Sequence, residues 1–130
     1  MTPGTPLAPF VVDTVLPGAM REWSVFLADP NPIHLDAEAV RAAGLGDRPI
    51  NQGPANLAYL INLLSLNFPD MDIVALETRF SGNVFAGDRC VANGHVSEIG
   101  ENETCCEIWL DVDGGRRAVS ATARLRARAR

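Results

Sequence analysis

RPINQGPANLAYLINLLSLNFPD, residues 48 to 70, decides how the rest of the chain is read. Gly53 is followed by Pro54, and proline is favoured at the start of a helix because its missing N–H would have no partner there anyway. Leu57, Leu60, Ile61 and Leu64 then recur at helical spacing, and Ala58, Leu63 and Leu66 widen the apolar stripe almost around the axis. A helix apolar on most sides has to be buried on most sides. Phe68 and Pro69 close it.

Downstream, the texture changes from Ile73 onward to four strands: IVALETRFSG, DRCVANGHVSEIG, TCCEIWLDV and RRAVSATARLRAR. Alternation is clearest in the last, where Ala118, Ser120, Thr122 and Arg124 oppose Val119, Ala121, Ala123 and Leu125. GENE and DVDGG supply the glycines and the Asn or Asp that tight hairpins require, and NVFAGD reads as a longer corner. Upstream, Asp36 can cap a short helix with Glu38 in its first turn and Gly44 at its end, and FVVDTVLP reads as an extended segment. A curved antiparallel sheet wrapped around one long central helix satisfies both halves, giving an α+β fold in a single domain over residues 1–130. Residues 1–9, rich in Pro and Gly, read as a loose leader.

The length of 130 residues suits one domain with a real core. No run reaches the roughly eighteen apolar residues of a membrane-spanning helix, and the first residues lack a secretory signal, so a cytoplasmic protein is expected, with no membrane partner. The formal net charge of −5 argues against a nucleic-acid partner. All eleven basic residues are Arg, and six fall in RRAVSATARLRARAR, which reads as a solvated strand and tail or as a docking surface for an acidic carrier. Cys90, Cys105 and Cys106 show no metal-type spacing and read as reduced packing residues, so no metal site is expected.

DPNPIH, residues 29–34, sits directly before the short helix. Its prolines fix their own φ and restrict the residues before them, so the segment is preorganised. Asp29 and His34 can then meet on one side of the turn, and a carboxylate beside an imidazole can hold and deprotonate one water. The same pattern is also what an Asx turn capping the next helix needs, with His34 merely packed. His95, among alternating strand residues, reads as an ordinary surface or core histidine.

FLADPNPIHLD resembles the hydratase motif of the MaoC-like (R)-specific enoyl-thioester hydratases and dehydratases, which have the hotdog fold. RPINQGPANLAYL is similar to the family's segment leading into the central helix, TRFSGNVFAGD to its strand and corner, and SATARLR to its close. The resemblance implies a hydro-lyase that adds water to a trans-2-enoyl thioester or removes it from a (3R)-hydroxyacyl thioester. It implies Asp29 and His34 as the water-activating pair and the Gly53 N–H as the donor to the thioester oxygen. Asn31, Gln52 and Pro54 fall at the substrate, with Asn31 chiefly holding the turn in shape. No cofactor of the protein's own is implied, because coenzyme A or phosphopantetheine arrives as part of the substrate. The implied partners are the acyl thioester, an acyl carrier protein where one presents it, and a second hotdog chain in a homodimer or heteromer. Three positions depart from the pattern: Ala28 stands for the usual Gly, Gln52 for the usual His, and Pro54 for the usual Met. Two further readings keep the fold and change the role, a non-catalytic hotdog subunit that binds acyl groups, and a thioesterase or specialised enzyme of polyketide or secondary metabolism.

Overall fold

The structure, a computed structural model, describes residues 1–129. Its elements follow in the order β1 (Phe10–Val12), α1 (Pro17–Leu27), α2 (Ala37–Ala42), α3 (Gly53–Asn67), β2 (Met71–Phe80), β3 (Cys90–Ile99), β4 (Glu103–Val112) and β5 (Arg116–Ala127). The five strands form one antiparallel sheet in the order β1-β3-β4-β5-β2. α3 lies against its inner face and touches β1, β2, β3 and β4.

The alternation in β5 explains how helix and sheet meet. Val119, Ala121, Ala123 and Leu125 are buried in the core that α3 also enters, while Thr122 and Arg124 face solvent. Cys106, Ile108 and Leu110 of β4 extend this apolar floor, and Leu60, Leu63 and Leu64 of α3 close on it without residual exposure. Ala118 is buried although the alternation points it outward, because the β4–β5 register shifts between Leu110 and Asp111. Such a bulge inserts a residue and turns the strand locally. Burial also pushes the Cys90 and Cys106 thiols up to about 11, so both stay protonated packing groups at neutral pH.

The N-terminus corrects the sequence reading. Residues 1–9 are not a loose leader: Gly4 N–H donates to the Val96 carbonyl at 2.7 Å, Val96 N–H to Thr5 at 2.9 Å, and Leu7 N–H to Gly94 at 2.9 Å. Leu7 is 4% exposed. The segment extends the pairing of β1 along β3, and prolines are tolerated there because an edge strand has a side that needs no N–H. The Asn67 side chain at the end of α3 accepts from Ala8 N–H and donates to its carbonyl, at 2.8 and 2.9 Å. Likewise, FVVDTVLP is a strand only over Phe10–Val12, and its Pro17 opens α1.

α1 ends in a way that its sequence conceals. Ala28 has φ 50° and ψ 41°, the left-handed region, and is the one non-glycine residue described with a positive φ. The N–H of Asp29 donates to the Ser24 carbonyl five residues back at 2.9 Å, a closure of the kind glycine usually provides. The chain therefore leaves α1 by a sharp turn straight into DPNPIH.

Two stability effects follow. A Cβ on Gly94 would lie 2.4 Å from the Glu107 carbonyl oxygen and 2.7 Å from Ile108 Cγ2, so Gly94→Ala is expected to destabilise the fold by about 3 kcal/mol, read from urea unfolding. Ala28→Gly removes the left-handed penalty of an L-residue, offset in part by a more flexible unfolded chain, and is expected to stabilise by about 0.5–1 kcal/mol in the same assay.

Candidate active site

DPNPIH folds as two nested turns. The Asp29 Oδ1 accepts the Asn31 N–H at 3.1 Å, and the Asn31 Oδ1 accepts the Ile33 N–H at 3.2 Å, opening a single 3₁₀ turn over Pro32–His34. The turn delivers His34 back toward Asp29, with Nε2 3.5 Å from Asp29 Oδ2. His34 is the more enclosed of the two, its side chain 12% exposed against 40% for Asp29.

The other ring nitrogen fixes the tautomer. His34 Nδ1 lies 2.7 Å from the Ile50 carbonyl oxygen. A carbonyl can only accept, so Nδ1 carries the proton and donates it; in the neutral ring Nε2 is then the lone pair, and it faces Asp29.

Ile50 leads within three residues to the start of α3, so the His34 anchor and Gly53 are no more than about 10 Å apart along the chain. The first turn of α3 is unusual in its hydrogen bonding. Ala55 N–H and Asn56 N–H both donate to the Gln52 carbonyl at 3.1 Å, and Pro54 has no N–H. Gly53 N–H is left without a partner among the described residues. A single unpaired donor at the positive end of a fifteen-residue helix is suited to hold a developing negative charge. The Phe80 ring stands beside it, 3.8 Å from where a Cβ on Gly53 would be, and is otherwise exposed.

Of the residues named from sequence, Asp29, Asn31 and His34 come together in one turn, and Gly53 and Pro54 open α3 as expected. Gln52 does not point where a substrate contact would. It is 1% exposed, and its Nε2 donates to the Met20 carbonyl at 2.8 Å and to Ser24 Oγ at 3.1 Å, both on α1. The helix start is thus packed against α1 rather than capped by Gln52. Sequence reasoning missed Asn51, Asn56 and Tyr59. Asn51 Nδ2 donates to Asn56 Oδ1 at 2.8 Å and to the Tyr59 hydroxyl at 3.2 Å. The signal available was three polar residues, Asn51, Gln52 and Asn56, at the start of an otherwise apolar helix.

Other candidates lie elsewhere. His95 Nε2 sits 3.3 Å from Glu107 on the outer face of the sheet. A surface groove of about 500 Å³ lies on that same face between Arg79, Trp109 and Thr122. The described arginines of the C-terminal run are each beside a carboxylate: Arg116 by Asp88, Arg117 by Asp111, Arg124 and Arg126 by Glu103, and Arg128 by Asp72. That favours a solvated, internally paired face over a docking patch. Among the described residues no group of three His, Cys, Asp or Glu side chains could hold a metal ion, and no helix is long and apolar enough to cross a membrane.

Several solved structures share this architecture. The (R)-hydratase from A. caviae involved in PHA biosynthesis is 21% identical, with a TM-score of 0.89 over 98% of each chain. The R-hydratase PhaJ1 from Pseudomonas aeruginosa is 19% identical, with a TM-score of 0.87 over all of this chain and 84% of the other. The ChsH1-ChsH2 complex from Mycobacterium tuberculosis matches at 16% identity and a TM-score of 0.87, covering 98% of this chain and 99% of that one. At such identities the likeness speaks for the fold, a hotdog, and no curated protein matches the chain. The family described as MaoC like domain matches residues 2–109, most of the sequence, and the chain therefore belongs to the MaoC-like domain family.

Proposed function

We propose that the protein is a cytoplasmic hydro-lyase that reversibly hydrates a trans-2-enoyl thioester to the (3R)-hydroxyacyl thioester, the thioester being carried on coenzyme A or on the phosphopantetheine of an acyl carrier protein. The observation that supports this reading most is the pairing of Asp29 Oδ2 with a His34 Nε2 freed for base duty by the Ile50 carbonyl. At 3.5 Å the two are too far apart for a strong direct bond, but a water about 2.8 Å from each would be held by both.

The chemistry then runs as follows. Water bound to the pair loses a proton to it as its oxygen attacks the β-carbon of the enoyl group. Electrons move to the thioester oxygen, where the Gly53 N–H stabilises the enolate, and the pair returns a proton to the α-carbon. The sum is addition of one water, and dehydration is the same path reversed. Asn31 keeps the turn rigid, and Pro54 leaves Gly53 N–H as the one free donor of the first turn.

A second chain is part of this proposal. β2 is an edge strand of ten residues whose outer side pairs with nothing among the described residues, and Ile73, Val74 and Phe80 along it are exposed, as are Ile61 and Leu66 of α3. Long apolar edges are normally covered. The structural relatives include two-chain assemblies, the ChsH1-ChsH2 complex and the HadBC dehydratase complex from Mycobacterium tuberculosis. They favour, as a second reading, a subunit of this chain's kind that binds acyl groups beside a different hotdog partner.

Asp29→Asn and His34→Ala are each expected to lower kcat by about 10²–10⁴-fold, read as the fall in absorbance of a trans-2-enoyl-coenzyme A, with circular dichroism unchanged. Near wild-type rates in either would sink the mechanism. Light scattering should give twice the chain mass of 14.0 kDa, and Val74→Lys should shift the population toward one chain; a wild-type monomer at working concentration would contradict the dimer.

A further inference from the structure

Gln52 carries two bonds that link the halves of the candidate site. Its Nε2 donates to the Met20 carbonyl, which can only accept, so the orientation of the amide is fixed. The second bond goes to Ser24 Oγ, and the Ser24 carbonyl in turn accepts the N–H of Asp29 at 2.9 Å. Two residues before Gln52, the Ile50 carbonyl accepts from His34, and the Ile50 N–H donates to the Ile33 carbonyl at 2.8 Å. The residue after Gln52 is Gly53.

We propose that Gln52 is a positioning residue: through Ser24 it ties Asp29 to the start of α3, while Ile50 ties His34 to the same short segment. This rests on the hydro-lyase reading above. The segment 50–52 is then a bracket that sets the water-activating pair and the Gly53 N–H at one separation. The pair sits at the α1 exit and in the 3₁₀ turn that follows it, the Gly53 N–H sits at the α3 start, and residues 50–52 supply hydrogen bonds that join the two places. A misplacement of about 1 Å between a reacting water and an oxyanion donor can lower a rate by about 10²-fold.

A second feature argues that Gln52 is more than padding between two helices. Its Oε1 is buried with no hydrogen-bond partner among the described residues, an arrangement unfavourable to stability. An apolar side chain of similar length would fill the same space without the orphan oxygen. What it would lack is the two bonds to α1, of which the one to Ser24 leads to Asp29.

Gln52→Met tests this directly. It removes the two donated bonds and the orphan acceptor together, so the melting temperature should move little. If Gln52 positions the pair, kcat on an enoyl-coenzyme A falls about 10–100-fold while KM stays within about threefold. In nuclear magnetic resonance spectra the Asp29 amide and the His34 Nδ1–H signals, neither touched by residue 52, should move, with the His95 ring as the unmoved reference. Unchanged kcat with unmoved Asp29 and His34 signals would overturn the proposal. The spectra need no turnover: moved signals in a protein whose wild type hydrates no enoyl thioester would uphold the tether and sink the hydro-lyase reading. Should Gln52→Met not fold, Ser24→Ala removes only the hydroxyl and keeps the carbonyl to Asp29. It should shift the same two signals in the same sense, and unmoved signals there would overturn the proposal equally.

Discussion

Everything at the candidate site hangs on one peptide plane, that between Ile50 and Asn51. The C=O and N–H of a trans peptide point in opposite directions, and here both are taken. The oxygen accepts from His34 Nδ1 at 2.7 Å, and the N–H donates to the Val84 carbonyl at 2.6 Å, in the corner that precedes β3. The Asn51 side chain fastens the same residue to Asn56 and Tyr59 of α3. A rotation of that plane would lose the imidazole tautomer, the corner and the helix start at once. Such a plane has few alternatives, and few alternatives is what a site that must hold one water needs.

The surroundings make these bonds count. Asn51, Gln52 and Asn56 are buried polar residues beside a helix that is otherwise leucine-rich, and Ile50 and Val84 are buried as well. In so apolar a setting a hydrogen bond is stronger than in water, and an unmade one is more costly. Burial is also the chief reason the Tyr59 phenol is pushed up, and its hydroxyl accepts from the Asn51 amide. The sheet contributes only a floor. The divergent chemistry of charge and water is confined to the rim where α1, the 3₁₀ turn and α3 converge, and the floor stays apolar from Cys106 through Leu125.

The sequence was legible where periodicity or turn chemistry carries the signal. The stripe from Leu57 to Leu66 announced α3, the alternation from Val119 to Leu125 announced β5, and Asp36 does accept the Glu38 N–H as a cap. The pairing of Asp29 with His34 was legible because two prolines leave the turn little freedom. Gln52 was not, since nothing local distinguishes a glutamine turned into a neighbouring helix from one turned toward a ligand; the difference lies in Met20 and Ser24, some thirty residues away. Ala28 gave no sign of the end of α1, because a left-handed helix exit is normally announced by glycine. Residues 1–9 misled because proline and glycine read as looseness, whereas an edge position along β3 has room for both.

That edge position bears on the order of folding. Phe10 pairs with Ala92, and Ala8 is held by Asn67, so the first strand has no partner until most of the chain exists. At about 5–20 residues per second, the roughly 80 residues between β1 and its partner take about 4–16 s to synthesise. For that interval the N-terminal segment has to avoid pairing with anything else. Pro3, Pro6 and Pro9 are spaced so that no continuous ladder of N–H donors exists. The prolines that make the segment look unstructured thus also limit what else it can pair with before β3, its partner in the sheet, has been made.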